Sequence, residues 1–309
     1  MIDTNTSEYT KKAAFVALTG RPSVGKSSLV NLICGAKVAI VSPIPQTTRN
    51  AVRGILSRPE GQLVFIDTPG RHISEKKLNT RLMSVADRAM EDSELILYVL
   101  DAARSPGLEE EAIAIRLKDR QDRIVAAINK TDAAGADPKK LVSFLEANLN
   151  ALPSSRRFEI SCYKKEGIEP LVSCLFEMAP EDEPLYPDGY YTDQEMSFRI
   201  SEIIREKAIS RLREELPHSL YVEVADLELR EDPVSGKKRL WVRAFIITER
   251  ESQKGMIVGK GGEMIKAIGQ AARKELNSIF EWKLDLDLRV KTGKDWRHND
   301  RLLKKITGI

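Results

Sequence analysis

Cysteine and histidine are scarce in this chain, three of each in 309 residues. Cys34, Cys162 and Cys174 lack the close spacing of a metal site or a disulfide framework. They read as small buried groups in a reduced compartment, the cytoplasm. His72, His218 and His298 are equally dispersed and read as surface or turn residues. No catalytic cysteine constellation and no dinucleotide fingerprint is present, so thiol and nicotinamide chemistries are excluded. Long apolar runs are also missing. None approaches the roughly 18 residues that span a bilayer, and the polar stretch Met1 to Lys12 lacks the apolar core of a secretion signal. What the composition does allow, with 42% hydrophobic residues, is two well-filled domain cores.

Against that background the segment Gly20-Arg21-Pro22-Ser23-Val24-Gly25-Lys26-Ser27 stands out as a G-x-x-x-x-G-K-S phosphate loop. The apolar run Ala14 to Thr19 precedes it and Ser28 to Ile33 follows, which gives strand, loop and helix in the required order. Gly20 and Gly25 let successive N–H groups turn inward, and the helix N-terminus adds positive potential. Lys26 is expected to bridge the β- and γ-phosphates, Ser27 to ligate Mg²⁺ and Ser28 to donate to the α-phosphate. Ser23 also lies in this loop. Asp67-Thr68-Pro69-Gly70 closes the apolar run Leu63 to Ile66, placing Asp67 for the Mg²⁺ shell and the Gly70 N–H for the γ-phosphate. Between them, Ser42 to Arg49 is polar and proline-punctuated, as suits a mobile segment that brings a hydroxyl to the metal. Thr48 is the first choice and Thr47 the second; both would also favour the strand that follows.

The base reader is Asn129-Lys130-Thr131-Asp132, delivered by the buried run Ile124 to Ile128. A carboxylate at Asp132 accepts the N1–H and N2–H of guanine, a donor pair that adenine lacks. Asn129 is expected to brace the loop and reach N7, and the Lys130 stem to cover the ring. Ser161 and Cys162, after the run Arg157 to Ile160, are expected to offer backbone N–H groups to the guanine O6. Phosphate and base signals together select GTP and GDP as ligands.

Residues 13–178 alternate strand and helix, which predicts a doubly wound, mostly parallel α/β sheet. Residues 179–193, with Pro180, Pro184 and Pro187, read as a linker. Residues 194–309 follow the order α-β-β-α-α-β, a separate, smaller α+β domain. Between its later helices lies Ile257-Val258-Gly259-Lys260-Gly261-Gly262, the G-x-x-G clamp of a KH domain, which grips the backbone of unpaired nucleotides. Ile257, Gly259, Lys260, Gly261, Gly262 and Lys266 are the candidate RNA contacts, with Ile257, Met264 and Ile265 as an apolar floor for bases. The net charge of +3 hides a bias here: Lys237 to Lys274 holds ten Lys/Arg against three Asp/Glu.

Nearly the whole chain resembles the Era-type GTPases. The strings that carry the resemblance are Gly20 to Asn31, Pro45 to Arg49, Asp67 to Gly70, Asn129 to Asp132, Ser201 to Lys207, Glu215 to Pro217, Ile257 to Gly262 and Lys294 to Arg297. The resemblance implies a GTPase whose KH domain binds the 3′ end of small-subunit ribosomal RNA and which assists 30S subunit maturation. It further implies peripheral association with the inner membrane, and a monomer is expected. Two positions depart from the family. Ser23 replaces the asparagine that helps hold an activating K⁺, so K⁺ stimulation is left open. Arg71, followed by His72, replaces an apolar residue; it either reaches the γ-phosphate or lies at the surface. With Lys26, Thr48 and Gly70 as the catalytic set and no glutamine after Gly70 to orient water, intrinsic hydrolysis is expected to be slow. The rival reading is a GTP/GDP-gated RNA tether that does not hydrolyse.

Overall fold

A computed structural model describes residues 11–42, 44, 47–70, 77–212, 216–231, 236–293 and 296, the side chains of 77–82 and 218 excepted. Expectations placed on Pro45, Gln46, Arg71, His72, His298, Glu215, Lys294, Asp295 and Arg297 lie outside these residues. The chain forms two compact units. The first takes residues 1–39 and 48–193, the second residues 40–47 and 194–309.

The first unit contains β1 (Lys12–Thr19), α1 (Lys26–Cys34), β2 (Val52–Arg58), β3 (Gly61–Asp67), α2 (Lys77–Glu91) and β4 (Leu95–Asp101). It continues with α3 (Leu108–Leu117), β5 (Ile124–Asn129), α4 (Pro138–Asn148), β6 (Arg157–Glu159) and α5 (Ile168–Met178). The six strands lie in the order β2-β3-β1-β4-β5-β6, all parallel except β2, which runs antiparallel to β3. β3, β4 and β5 are buried at every position, as strands must be when helices cover both faces of a parallel sheet. The chain leaves β1 toward the β3 side and returns through α2 to β4 on the other side. That reversal opens a crevice at the carboxyl ends of the strands, where ligands of such folds bind.

The proline-bearing segment after α5 is stitched to this unit. The buried amide of Gln62 donates to the Tyr186 carbonyl at 3.0 Å and accepts the Tyr186 N–H at 2.8 Å. The Ile55 N–H donates to the Tyr191 carbonyl, and Arg53 pairs with Asp193 at 2.8 Å.

In the second unit α6 (Met196–Ile209) precedes β7 (Leu220–Glu231), β8 (Lys238–Thr248), α7 (Glu251–Val258), α8 (Glu263–Ile279) and β9 (Lys283–Thr292). β8 is central, antiparallel to β7 and parallel to β9. The apolar stripes of α6 (Ile200, Ile203, Ile204, Ala208) and α8 (Ile268, Ala272, Leu276) close over the inner face of the sheet, with Leu240, Val242, Ala244 and Ile246 beneath them. The four-residue string ending in Arg297 owes its tryptophan to packing. Trp296 is 2% exposed, donates its indole N–H to the Ser219 carbonyl at 3.2 Å and stacks obliquely on Tyr221. Trp296→Ala is expected to destabilise the second unit by about 3–5 kcal/mol, the usual cost of emptying a large aromatic site. Denaturant unfolding of the full chain measures this, and a loss below about 1 kcal/mol contradicts an anchoring role.

Candidate functional site

The loop from Gly20 to Gly25 leaves β1 and enters α1 with its glycines in conformations that side chains resist. A Cβ on Gly20 (φ 147°) would stand 2.3 Å from the Val99 carbonyl oxygen. One on Gly25 (φ 105°) would stand 2.3 Å from Asn129 Nδ2. Lys26, buried at the first position of α1, donates from Nζ to the Gly20 and Arg21 carbonyls, each at 2.9 Å. Burial is the main cause that lowers its pKa to about 8, against the opposing pull of Asp67 and Glu110. An anion seated in the loop supplies the compensation that this ammonium lacks.

Three elements meet beside it. Ser27 Oγ donates to Asp67 Oδ2 at 2.6 Å, and Thr48 Oγ1 lies 3.0 Å from Ser27 Oγ and 3.3 Å from the same carboxylate oxygen. Thr47 points elsewhere: its hydroxyl donates to the Ile44 carbonyl at 2.6 Å. Of the two candidate threonines, Thr48 is the one in the cluster. Asp67 is fully buried, its pKa is raised by burial, and its Oδ1 has no hydrogen-bond partner. A buried carboxylate with a free oxygen beside two hydroxyls is a donor set that suits a hard divalent cation such as Mg²⁺. Gly70 lies against Pro22, so tightly that a Cβ there would approach Pro22 Cα to 2.7 Å. Thr68 fixes this turn by donating to the Leu18 carbonyl at 2.7 Å. Ser28 sits partly exposed in the first turn of α1.

The second half of the site lies at the ends of β5 and β6. Asn129 donates to the Val24 carbonyl at 2.8 Å and accepts the Cys162 N–H at 3.1 Å. Lys130, in the left-handed region at φ 65°, donates to the Ser23 carbonyl and to Asp101 Oδ2, both at 2.7 Å. Asp132 accepts the Ser161 hydroxyl at 2.5 Å. One expectation needs correction here. The Ser161 N–H donates to the Glu166 carbonyl at 3.0 Å and the Cys162 N–H to Asn129, so both are already engaged within the protein. The contribution of this loop is instead the Ser161 hydroxyl, which orients the Asp132 carboxylate. The Ser23 hydroxyl is buried without a partner.

Two groups escaped sequence reasoning. Asp101, buried at the end of β4, anchors Lys130, and its place at a strand end was the available signal. Glu110, buried in α3, pairs with Arg21 of the phosphate loop at 2.7 Å. Nothing in the string Leu108 to Leu117 marks that contact, because three glutamates in a row read as a solvated first turn.

In the second unit the G-x-x-G turn joins α7 to α8. Gly259 adopts φ 74° with no room for a Cβ, which would stand 2.7 Å from Met264 Cβ, whereas Gly261 (φ 60°) and Gly262 (φ 81°) face open space. Lys260 and Lys266 are exposed, with no ion-pair partner among the described residues. Ile257 is a correction. It is completely buried in the core cluster of this unit, so it supports the loop from below and no base can reach it. Much of the positive charge is also spoken for: Arg239 pairs with Asp285 at 2.5 Å, and Arg243 with Asp287 at 3.1 Å and Asp226 at 3.3 Å.

Comparison with known proteins gives this geometry a lineage. The family described as 50S ribosome-binding GTPase matches residues 15–130, and the KH domain family matches residues 215–297. The GTPase Era of Treponema denticola is 48% identical over 292 residues, covering 94% of this chain and 98% of that one. This chain belongs to the Era family of GTPases. Era of Borreliella burgdorferi is 45% identical over 295 residues, 96% of this chain and 99% of its own. Two crystal structures of Era, each 32% identical, match with a TM-score of 0.89 over 96% of this chain and 98% of theirs. One is a complex with MgGDPNP and nucleotides 1506–1542 of 16S ribosomal RNA. The other is an Aquifex aeolicus Era variant bound to GDP·AlF4⁻. An Era fold therefore carries both the phosphate loop and the G-x-x-G turn described above.

The pair Arg21–Glu110 makes a pH prediction. Burial raises the Glu110 pKa from 4.5 to about 7, against the pull of Arg21. The folded protein thus holds a proton there that the unfolded chain has released, and stability is lost as pH rises from about 4.5 to 7. Relative to Glu110→Gln, the wild type is expected to lose unfolding free energy across that window, in the absence of nucleotide. Parallel curves for the two proteins contradict the assignment.

Proposed function

We propose that this protein is a Mg²⁺-dependent GTPase that binds single-stranded RNA at the 3′ end of small-subunit ribosomal RNA and assists 30S subunit biogenesis. The observation that carries the reading is the convergence of Lys26, Ser27, Thr48 and Asp67 with Asn129 and Asp132 at one end of a mostly parallel sheet. The Era complex with MgGDPNP and 16S ribosomal RNA supports both ligand classes.

Lys26 neutralises the β- and γ-phosphates as a buried ammonium, and the N–H groups of the phosphate loop and Gly70 cradle their oxygens. Ser27 and Thr48 would hold the Mg²⁺ through their hydroxyls with Asp67 in support; the ion would supply charge compensation for the transferred phosphoryl group. Asp132, oriented by Ser161, accepts the two guanine donors, and the Lys130 stem lies over the ring. Asn129 joins the halves, since its amide holds the Val24 carbonyl of the phosphate loop. Positions 71 and 72 are arginine and histidine, so no glutamine follows Gly70 to position water and turnover is slow without further help. Hydrolysis removes the γ-phosphate contacts that order Thr48 and Gly70, and RNA binding by the second unit responds to that change. The G-x-x-G turn grips RNA backbone through Lys260 and the open faces of Gly261 and Gly262, with Lys266 beside them.

Asp132→Asn is expected to weaken GTP by about 100-fold and to improve xanthosine triphosphate, because the amide no longer pairs with the N1–H and N2–H of guanine. Equilibrium nucleotide binding measures this, and unchanged GTP affinity overturns the base site. Gly261→Asp places a β-carbon at φ 60° and a negative charge against the RNA backbone. It is expected to abolish binding of a 16S 3′-end oligonucleotide while leaving nucleotide affinity intact; retained RNA binding refutes the clamp.

A further inference from the structure

A guanine seated on Asp132 is read along one edge, and the Lys130 stem covers one of its faces. Stacking on the face of a base contributes on the scale of a good edge contact, so a further cover has value. The turn after β6 presents a side chain suited to that task. Tyr163 is 87% exposed, although the apolar body of a tyrosine is ordinarily buried at least in part. Single exposed aromatics are common on protein surfaces, so exposure alone carries no meaning. What distinguishes Tyr163 is the backbone that bears it.

Ser161 and Glu166 exchange both backbone hydrogen bonds, at 3.0 and 3.1 Å, and close a tight loop over residues 162–165. Lys165 takes φ 62° within it. Just beyond, Gly167 (φ 74°) has no room for a Cβ, which would stand 2.3 Å from the Glu159 carbonyl oxygen. Both neighbours of Tyr163 are pinned to the base reader. The Cys162 N–H donates to Asn129 Oδ1 at 3.1 Å, and the Lys164 N–H donates to Ser161 Oγ at 2.9 Å. That same Ser161 hydroxyl donates to Asp132 at 2.5 Å. The Thr131 N–H and hydroxyl both donate to the Ile160 carbonyl, at 3.3 and 3.0 Å. The two loops are thus built as one. Consecutive Cα atoms are about 3.8 Å apart, so the ring at position 163 lies within a side chain's reach of a base on Asp132. Exposed side chains change rotamer in nanoseconds or less. Folding this ring onto a base therefore costs the freedom of one side chain and no rearrangement of the backbone.

We infer that Tyr163 is a further nucleotide-binding residue, whose ring closes over the guanine base and stacks on it. The inference rests on the reading of Asn129 to Asp132 as the base site. Every purine has a π-face, so the stack adds affinity while selection of guanine stays with Asp132. The base is common to GTP and GDP, so Tyr163 strengthens both to the same degree and slows the release of each.

The test measures equilibrium affinities of the full chain for GDP and for GDPNP in excess Mg²⁺. Tyr163→Ala is expected to weaken both by about tenfold. The unfolding midpoint of the nucleotide-free chain is expected to stay unchanged, because the ring buries little there. Tyr163→Phe keeps the π-face and is expected to bind within about twofold of the wild type. Tyr163→Leu, apolar but without a ring, is expected to lose most of what the alanine variant loses. An alanine variant that binds both nucleotides like the wild type overturns the inference. So does a loss confined to one nucleotide, since the base is shared, and so does a leucine variant that matches phenylalanine. If Tyr163→Ala weakens a 16S 3′-end oligonucleotide at unchanged nucleotide affinity, the tyrosine serves RNA and the inference falls. Failure of the base-site reading is separately recognisable: in that case Asp132→Asn binds GTP like the wild type.

Discussion

One buried carboxylate organises the nucleotide site. Asp67 ends β3 with no exposure to solvent, and its Oδ2 receives Ser27 from α1 while Thr48 stands within reach. Burial pushes its pKa up, and the Ser27 hydroxyl, the Lys26 ammonium and the Thr48 hydroxyl push back. Without them the charge would be stranded in a low-dielectric crevice; with them it pins three chain segments to one point. The free Oδ1 leaves the arrangement one cation short of satisfied. The neighbouring ammonium of Lys26 has the opposite deficit, buried and turned onto backbone carbonyls in place of phosphate oxygens. A magnesium nucleotide brings both missing charges together.

The base half depends on the same frame. Asn129 and Lys130 do not wait passively for guanine; they hold the Val24 and Ser23 carbonyls of the phosphate loop. Asp101 fixes Lys130 from the neighbouring strand, and Glu110 fixes Arg21 from α3. Strand ends β1, β3, β4 and β5 are thereby tied to one another by side chains, so that phosphate and base contacts are preorganised as a unit. The second unit applies the same economy to its loop: Ile257 and Met264 pack beneath the G-x-x-G turn, and the exposed Lys260 and Lys266 supply charge above it.

Much of this was legible in the sequence because periodicity and local backbone demands leave direct marks. The fully buried strands are continuous apolar runs, and Gly20, Gly25 and Gly259 occupy positions where a Cβ collides with neighbouring atoms. What was not legible depends on long-range pairing. Ile257 looked like surface beside a binding loop because a lone isoleucine at a helix end carries no sign of which way it faces. The basic bias of residues 237–274 looked like a nucleic-acid face, but Asp285 and Asp287 on β9 lie in register with β8 and neutralise Arg239 and Arg243. Ser161 and Cys162 read as free N–H donors, since a strand exit does not reveal that Glu166 and Asn129 already accept from them. Nor does any local pattern speak across the roughly 160 positions that separate Arg205 and Glu206 from Thr47 and Val41, whose backbone groups they hold.

The proposed function couples nucleotide state to RNA binding within one chain. The most direct measurement is the affinity of the full-length protein for a single-stranded 16S 3′-end oligonucleotide, taken once with saturating Mg·GDPNP and once with saturating Mg·GDP, beside a scrambled oligonucleotide. Affinity for the matching RNA is expected to differ between the two nucleotide states by more than tenfold, about 1.4 kcal/mol of coupling, with no such difference for the scrambled RNA. Equal affinity for the matching RNA in both states would contradict it.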